Sequence, residues 1–146
     1  MLNDKDIDNT CFISLMVATS YIEGVQQYID MNESRNGSKA TFIRGIKRIF
    51  EKEISNMENT DNIEVLYDQL RCGLFHDGMT RGQIVIDSKS DESIFFDEEE
   101  DVIEINHHMF LRKILEDFKA FIIKIKDINE RSLRKNFDEK YILVKE

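Results

Sequence analysis

The sequence contains no proline and no tryptophan, only two cysteines and six glycines, and more acids than bases. Without proline there is no built-in kink or helix breaker, which suits long uninterrupted helices. The two cysteines, Cys11 and Cys72, are far apart in the chain and match neither a zinc-ligand nor a C-x-x-C spacing. A zinc finger and a dithiol redox motif are thereby excluded, and both thiols are expected to be free in a reducing cytoplasm. No secretory signal is read, because the first ten residues are polar and acidic. The apolar run over residues 11–22 is too short to span a bilayer, and Glu23, Gln26 and Gln27 follow it. The expected location is cytoplasmic, with no membrane partner.

Bases number 20 against 29 acids, for a formal net charge of −9. Phosphate binding is driven by basic side chains, so the total argues against a nucleic-acid partner. The distribution is uneven. Residues 87–104 hold nine acids and one base, a local charge of −8 that leaves −1 for the rest of the chain. Elsewhere Arg35, Lys39, Arg44, Lys47, Arg48 and Lys52 form a basic run against Glu33, Glu51 and Glu53. That run reads either as a basic face or as an ordinary solvated helix surface.

What is present points to helices. The 146 residues are 41% hydrophobic and 34% charged, which suits one globular domain over residues 1–146. Residues 1–10 read as a frayed lead-in. Asn9 or Thr10 is placed to cap a first helix over residues 11–31, striped by Phe12, Leu15, Met16, Thr19, Ile22, Val25 and Ile29. Residues 32–38 read as a loop by composition. Ser38 then caps a second helix to about Met57, with a stripe of Phe42, Ile46, Ile49, Phe50, Ile54 and Met57. Short links between long helices favour antiparallel neighbours in a bundle.

The stretch over residues 61–79, DNIEVLYDQLRCGLFHDGM, carries the most information. Asp61 and Glu64 match a capping box, Ile63, Leu66, Tyr67, Leu70 and Leu74 recur at helical spacing, and Gly78 is the stop. Arg71 lies about 40° from Tyr67 and about 60° from Leu74 around an ideal axis, so it borders the apolar face. It must be paired there, or face a cleft or partner, because a buried lone charge is too costly. His76 would sit about 140° from Arg71. The two converge only if the helix distorts, for example at Gly73, or if they meet across a dimer axis.

After Gly78 the period changes to two, over residues 83–87, 93–97 and 102–106. This predicts a small antiparallel ribbon of two or three strands, with the acidic run at residues 97–101 as a turn. Those acids read as a solubilising edge, since a consecutive run lacks the alternating spacing of a calcium loop. Asn106 caps a fourth helix to about Asp127, striped by Phe110, Ile114, Phe118, Phe121, Ile122 and Ile125. His107 and His108 in its first turn diverge by about 100° and are expected at the surface, not on one metal ion. A charged helical piece over residues 128–137 follows, and residues 141–144 read as a short strand or docked tail. The fold class is therefore all-α in the main: a bundle of four or five helices with a β-ribbon insert around residues 83–106.

Arg71, four intervening residues and His76, near the end of a helix in an acidic helical chain, resemble the Arg-x4-6-His signature of HEPN domains. The wording LYDQLRCGLFHDGMTRG resembles in particular a bacterial group of small standalone HEPN-like proteins. The likeness is strongest over residues 67–82 and extends more loosely through the ribbon and the helix after it. It implies a helical bundle, usually a homodimer. Many members are metal-independent ribonucleases whose composite site forms where two copies of the motif meet, several of them in toxin–antitoxin or anti-phage defence systems. Others have lost catalysis and bind RNA, a nucleotide or a protein partner. The resemblance thus implies a homodimer, RNA or a nucleotide as ligand, an antitoxin or other protein as partner, and neither metal nor cofactor. One departure is Cys72: nuclease members often carry Asn, Asp or His after the arginine.

RNA carries its own nucleophile, the 2′-hydroxyl, so cleavage needs a base, an acid and donors on the phosphate. Histidine is the side chain whose ordinary pKa suits proton transfer near neutrality. Arginine presents a planar fork to phosphate oxygens. On this reading His76 is general acid or base and Arg71 the phosphate clamp. Tyr67, Cys72 and Asp77 are the supporting residues, Asp77 as a partner that orients the imidazole. The competing reading pairs Arg71 with Asp68 or Glu64 and makes His76 a C-terminal cap.

Overall fold

The computed structural model describes residues 4–31, 37–57 and 61–145, and its architecture is mainly helical with one small sheet. Helix α1 runs Asp4–Asp30, about 40 Å long. It starts well before residue 11, so residues 4–10 are helical and not a frayed lead-in, and Asn9 and Thr10 lie inside the helix instead of capping it. The loop expected over residues 32–38 lies outside the described residues except for Gly37 and Ser38.

Helix α2 spans Ser38–Ile49, with Gly37 at the N-cap position. Ser38 does not cap it; its hydroxyl points back to α1. The expected helix to Met57 is interrupted at Phe50, whose backbone leaves the helical region (φ −113°, ψ 32°). The chain resumes as α3, Glu51–Ile54, and a 3₁₀ turn, Ser55–Met57. The break lets Phe50 turn inward, where its ring stacks on Phe110 with centroids 4.5 Å apart. The α1–α2 contact is close because Gly45 meets Ile22 without a side chain; a Cβ there would fall 2.9 Å from the Ile22 carbonyl oxygen.

The central stretch is helical from Asn62 to Asp77 but not uniform: α4, Asn62–Val65, a π-helical turn, Leu66–Arg71, and α5, Cys72–Asp77. Gly78 ends it in the left-handed region (φ 70°), as its sequence position predicts. The capping box does not form. Asp61 makes no side-chain cap, and the Glu64 carboxylate is taken by Lys39 from α2 instead. Ile63, Leu66, Leu70 and Leu74 are buried as their spacing predicts. The Cys72 N–H reaches back five residues to the Tyr67 carbonyl, the signature of the π turn. The carbonyl of Gln69, inside that turn, accepts the N–H of Arg81 at 3.0 Å, and its side-chain oxygen accepts the N–H of Gln83. Gly73 makes room for this returning strand of chain, since a Cβ would lie 2.7 Å from the Met79 carbonyl oxygen.

Three short strands follow: β1 Ile84–Ile86, β2 Ile94–Asp97 and β3 Val102–Ile105. Their order is β1-β3-β2. β2 and β3 form the antiparallel hairpin expected around the acidic turn, but β1 lies parallel to β3, so the sheet is mixed. The segment between β1 and β2 crosses from one edge of the hairpin to the other. Asn106 holds it there by donating from its side-chain amide to the carbonyls of Ser88 and Ser90, while its oxygen caps α6 by accepting the Met109 N–H. The period-two pattern shows strands but not their order, which these tertiary hydrogen bonds select.

Helix α6 spans His107–Lys126, the bounds its stripe predicts to within a residue. Phe110, Ile114 and Phe121 are buried, but Phe118 is partly exposed at the α1 contact, edge-on to Tyr21. Helix α7, Arg131–Lys145, takes in residues 141–144, which are helical and not a strand. The buried side chains of α1, α2, α3, the central helical run, the sheet and α6 form one cluster. No helix among the described residues is long and apolar enough to cross a membrane.

Candidate functional site

Arg71 closes the π turn at the contact between the central helix and α1. Its guanidinium Nε and Nη2 both donate to Oε2 of Glu23, at 3.1 and 2.9 Å. Both side chains are largely out of water, with 21% of Arg71 and 9% of Glu23 accessible. The other carboxylate oxygen of Glu23 accepts from the Ser38 hydroxyl at 2.7 Å, and Ser38 accepts from the Tyr67 hydroxyl at 3.1 Å. The result is a continuous path from Tyr67 through Ser38 and Glu23 to Arg71, joining α2, α1 and the central helix. A buried carboxylate with a cationic partner and a hydroxyl donor meets its hydrogen-bonding requirement on both oxygens.

The guanidinium is also held between two rings, with the Phe75 centroid 4.5 Å and the Tyr67 centroid 5.7 Å from its central carbon. Such contacts attract a cation to the aromatic face. Asp68 and Glu64, the intrachain partners the sequence offers for Arg71, instead bind Lys39 at 3.3 and 2.7 Å. Arg71 thus borders the core as its angular position requires, but its carboxylate comes from a helix 48 residues away in sequence.

His76 is exposed. The helical distortion lies before Arg71 and not at Gly73, and Cys72–Asp77 is regular α-helix, so the two motif residues stay about 140° apart around the axis. One chain does not bring them together. Asp77, expected to orient the imidazole, gives its carboxylate to Arg81 four residues on. That hydrogen bond holds the Asp77 carboxyl below its ordinary pKa and raises that of Arg81. Cys72 is half-buried and free, and Tyr67 takes part through its hydroxyl and its ring.

Two participants were not singled out by sequence, Glu23 and Phe75. Glu23 had a legible signal: Thr19, Glu23 and Gln26 are polar residues at helical spacing along the striped face of α1, and all three are buried. The basic run of α2 is largely committed to ion pairs. Lys39 binds Glu64 and Asp68, Arg44 binds Asp30 at 2.8 Å, and Arg48 binds Asp117. Among the described residues, no three His, Cys, Asp or Glu side chains gather where a metal ion would sit.

The His107–His108 pair departs from expectation. His107 is buried, with 8% of its surface accessible, and the two rings lie 3.7 Å apart instead of diverging. The turn into α6 at Asn106 directs His107 inward. Burial, and then the neighbouring imidazole, push the His107 pKa below the ordinary 6.5. The unfolded chain therefore takes up a proton near pH 6.5 that the folded protein resists. The contribution of His107 to stability is full above pH 6.5 and is lost as the pH falls toward the lower folded-state value. Urea midpoints are expected to drop between pH 7.5 and pH 5.5, and the His107→Asn variant to drop less. Equal drops in the two proteins would remove His107 as the cause.

No family model matches the chain, and no curated protein or solved structure matches it either.

Proposed function

We propose that the protein is a HEPN-like homodimer that acts as a metal-independent endoribonuclease, with a toxin or defence role, and that its site is composite. The observation that supports this is the placement of the motif. Arg71 is held by Glu23 at the end of the π turn with about a fifth of its side chain still accessible, at 21%, while His76 is exposed on the same helix and turned away from it. A second copy related by a two-fold axis brings the Arg71 of one protomer to the His76 of the other and doubles the number of each.

In the reaction, one His76 takes the proton of the ribose 2′-hydroxyl, and O2′ attacks the adjacent phosphorus. The P–O5′ bond breaks, and the other His76 protonates the departing O5′. The products carry a 2′,3′-cyclic phosphate and a 5′-hydroxyl. Arg71 stabilises the charge gathering on the non-bridging oxygens; its Nη1 has no hydrogen-bond partner among the described residues.

A second reading is a non-catalytic dimeric module that binds RNA, a nucleotide or a protein partner. The Glu23 carboxylate favours it, because the ion pair cancels much of the charge Arg71 would offer a phosphate. Incubating a mixed RNA pool with wild type, Arg71→Ala and His76→Ala protein in EDTA separates the two. Wild type is expected to release cyclic-phosphate ends, and each variant to be slower by on the order of 10²-fold. No cleavage by wild type, or equal cleavage by all three, removes the catalytic reading.

A further inference from the structure

We propose that Phe75 is a stacking platform for an unpaired RNA base next to the bound phosphate. This rests on the ribonucleic-acid reading above and adds to it the residue that would grip the substrate. Phe75 is a large apolar side chain that the fold leaves 42% exposed, at the end of the helix that carries both motif residues. It lies between them in sequence. Met79, 54% exposed, extends the apolar surface past the helix end.

The ring is held in place for the task. Its contact with the Arg71 guanidinium, itself anchored by Glu23, fixes one side, and Tyr67, Arg71 and Phe75 follow each other at four-residue intervals along the helix. An exposed aromatic ring therefore sits against the guanidinium assigned to the phosphate, one residue before the exposed His76. Single-stranded RNA is gripped in this manner, bases on aromatic faces and phosphates on cations, with little demand on sequence. The arrangement also suits an acidic protein, since stacking adds affinity that does not depend on net positive charge.

The absence of tryptophan provides the probe: Phe75→Trp places the sole indole of the chain at the site. A single-stranded 2′-O-methyl RNA oligomer lacks the nucleophile and stays intact during titration. Saturable quenching of the indole by the oligomer is expected, with little quenching by an abasic oligomer of the same length. In a binding assay with the same RNA, Phe75→Ala is expected to weaken affinity roughly five- to hundredfold, the range for losing one stacked base, and Phe75→Tyr to stay near wild type. An unchanged affinity for Phe75→Ala overturns the proposal. So does equal quenching by the abasic oligomer, or an indole spectrum that follows protein concentration and ignores RNA, which would assign the ring to contact between two copies. RNA cleavage without a Phe75 effect sinks the platform and leaves the ribonuclease; Phe75-dependent binding without cleavage does the reverse. Failure to bind the oligomer at all overturns the platform and leaves the ribonuclease to the cleavage assay.

Discussion

Replacing Glu23 with alanine is expected to lower folding stability by about 2–4 kcal/mol, the range for breaking a buried ion pair from one side, reduced for the partial exposure of Arg71. The physical cause is what remains behind. Arg71 loses both of its hydrogen bonds, and the Ser38 hydroxyl loses its acceptor. Glu23→Gln keeps the volume and one acceptor and is expected to lose less. The decisive comparison is the double variant Glu23→Ala with Arg71→Met, which removes the stranded charge along with its partner. Urea unfolding of wild type, Glu23→Ala, Arg71→Met and the double variant should show the double variant losing clearly less than the sum of the single changes. Additive losses would mean the two side chains do not depend on each other. The same experiment bears on function, because a guanidinium released from Glu23 is no longer held against Phe75.

A valine at Gly45 is expected to destabilise by about 2–3 kcal/mol, which is roughly a 5–10 °C fall in Tm for a chain of this size. The added Cβ would fall 2.6 Å from the Ile22 side chain and 2.9 Å from its carbonyl oxygen. The side chain can turn aside, but the carbonyl belongs to the backbone of α1, so the two helices must separate. Gly24, one helix away, is the control. Nothing lies within 4 Å of a Cβ built there, and Gly24→Ala is expected to stabilise by about 0.5–1 kcal/mol through helix propensity alone. Calorimetry on the two variants tests the contrast. A Gly45→Val protein that melts with wild type would show that the α1–α2 contact is looser than the structure has it.

The central helix shows how far local pattern reaches. Ile63, Leu66, Leu70 and Leu74 are buried as their spacing requires, and Gly78 stops the helix in the left-handed conformation. Both follow from periodicity and from the steric freedom of glycine, which are local properties. The π turn over Leu66–Arg71 has no local signature. It accompanies bonds from Arg81 and Gln83 to Gln69, and these exist only once the chain has folded back past Gly73. The same division appears at the ends of other elements. Asn106 caps α6 because its partner is three residues away, whereas Ser38 was drawn off by Glu23 and the Glu64 of the capping box by Lys39. Polar side chains with a local use were legible, but a distant partner of opposite charge overrode that use.

By itself the sequence determined the helical class, the extent of α6, the presence of two or three short strands near the acidic run, and the position of Arg71 at the edge of an apolar face. Those depend on intervals of two to four residues, which the chain carries whatever its tertiary arrangement. Only the tertiary structure decided that β1 runs parallel to β3, that Glu23 rather than Asp68 answers Arg71, and that Phe75 is left in the open beside it. These are outcomes of competition among distant groups for the same partner, and packing geometry settles that competition.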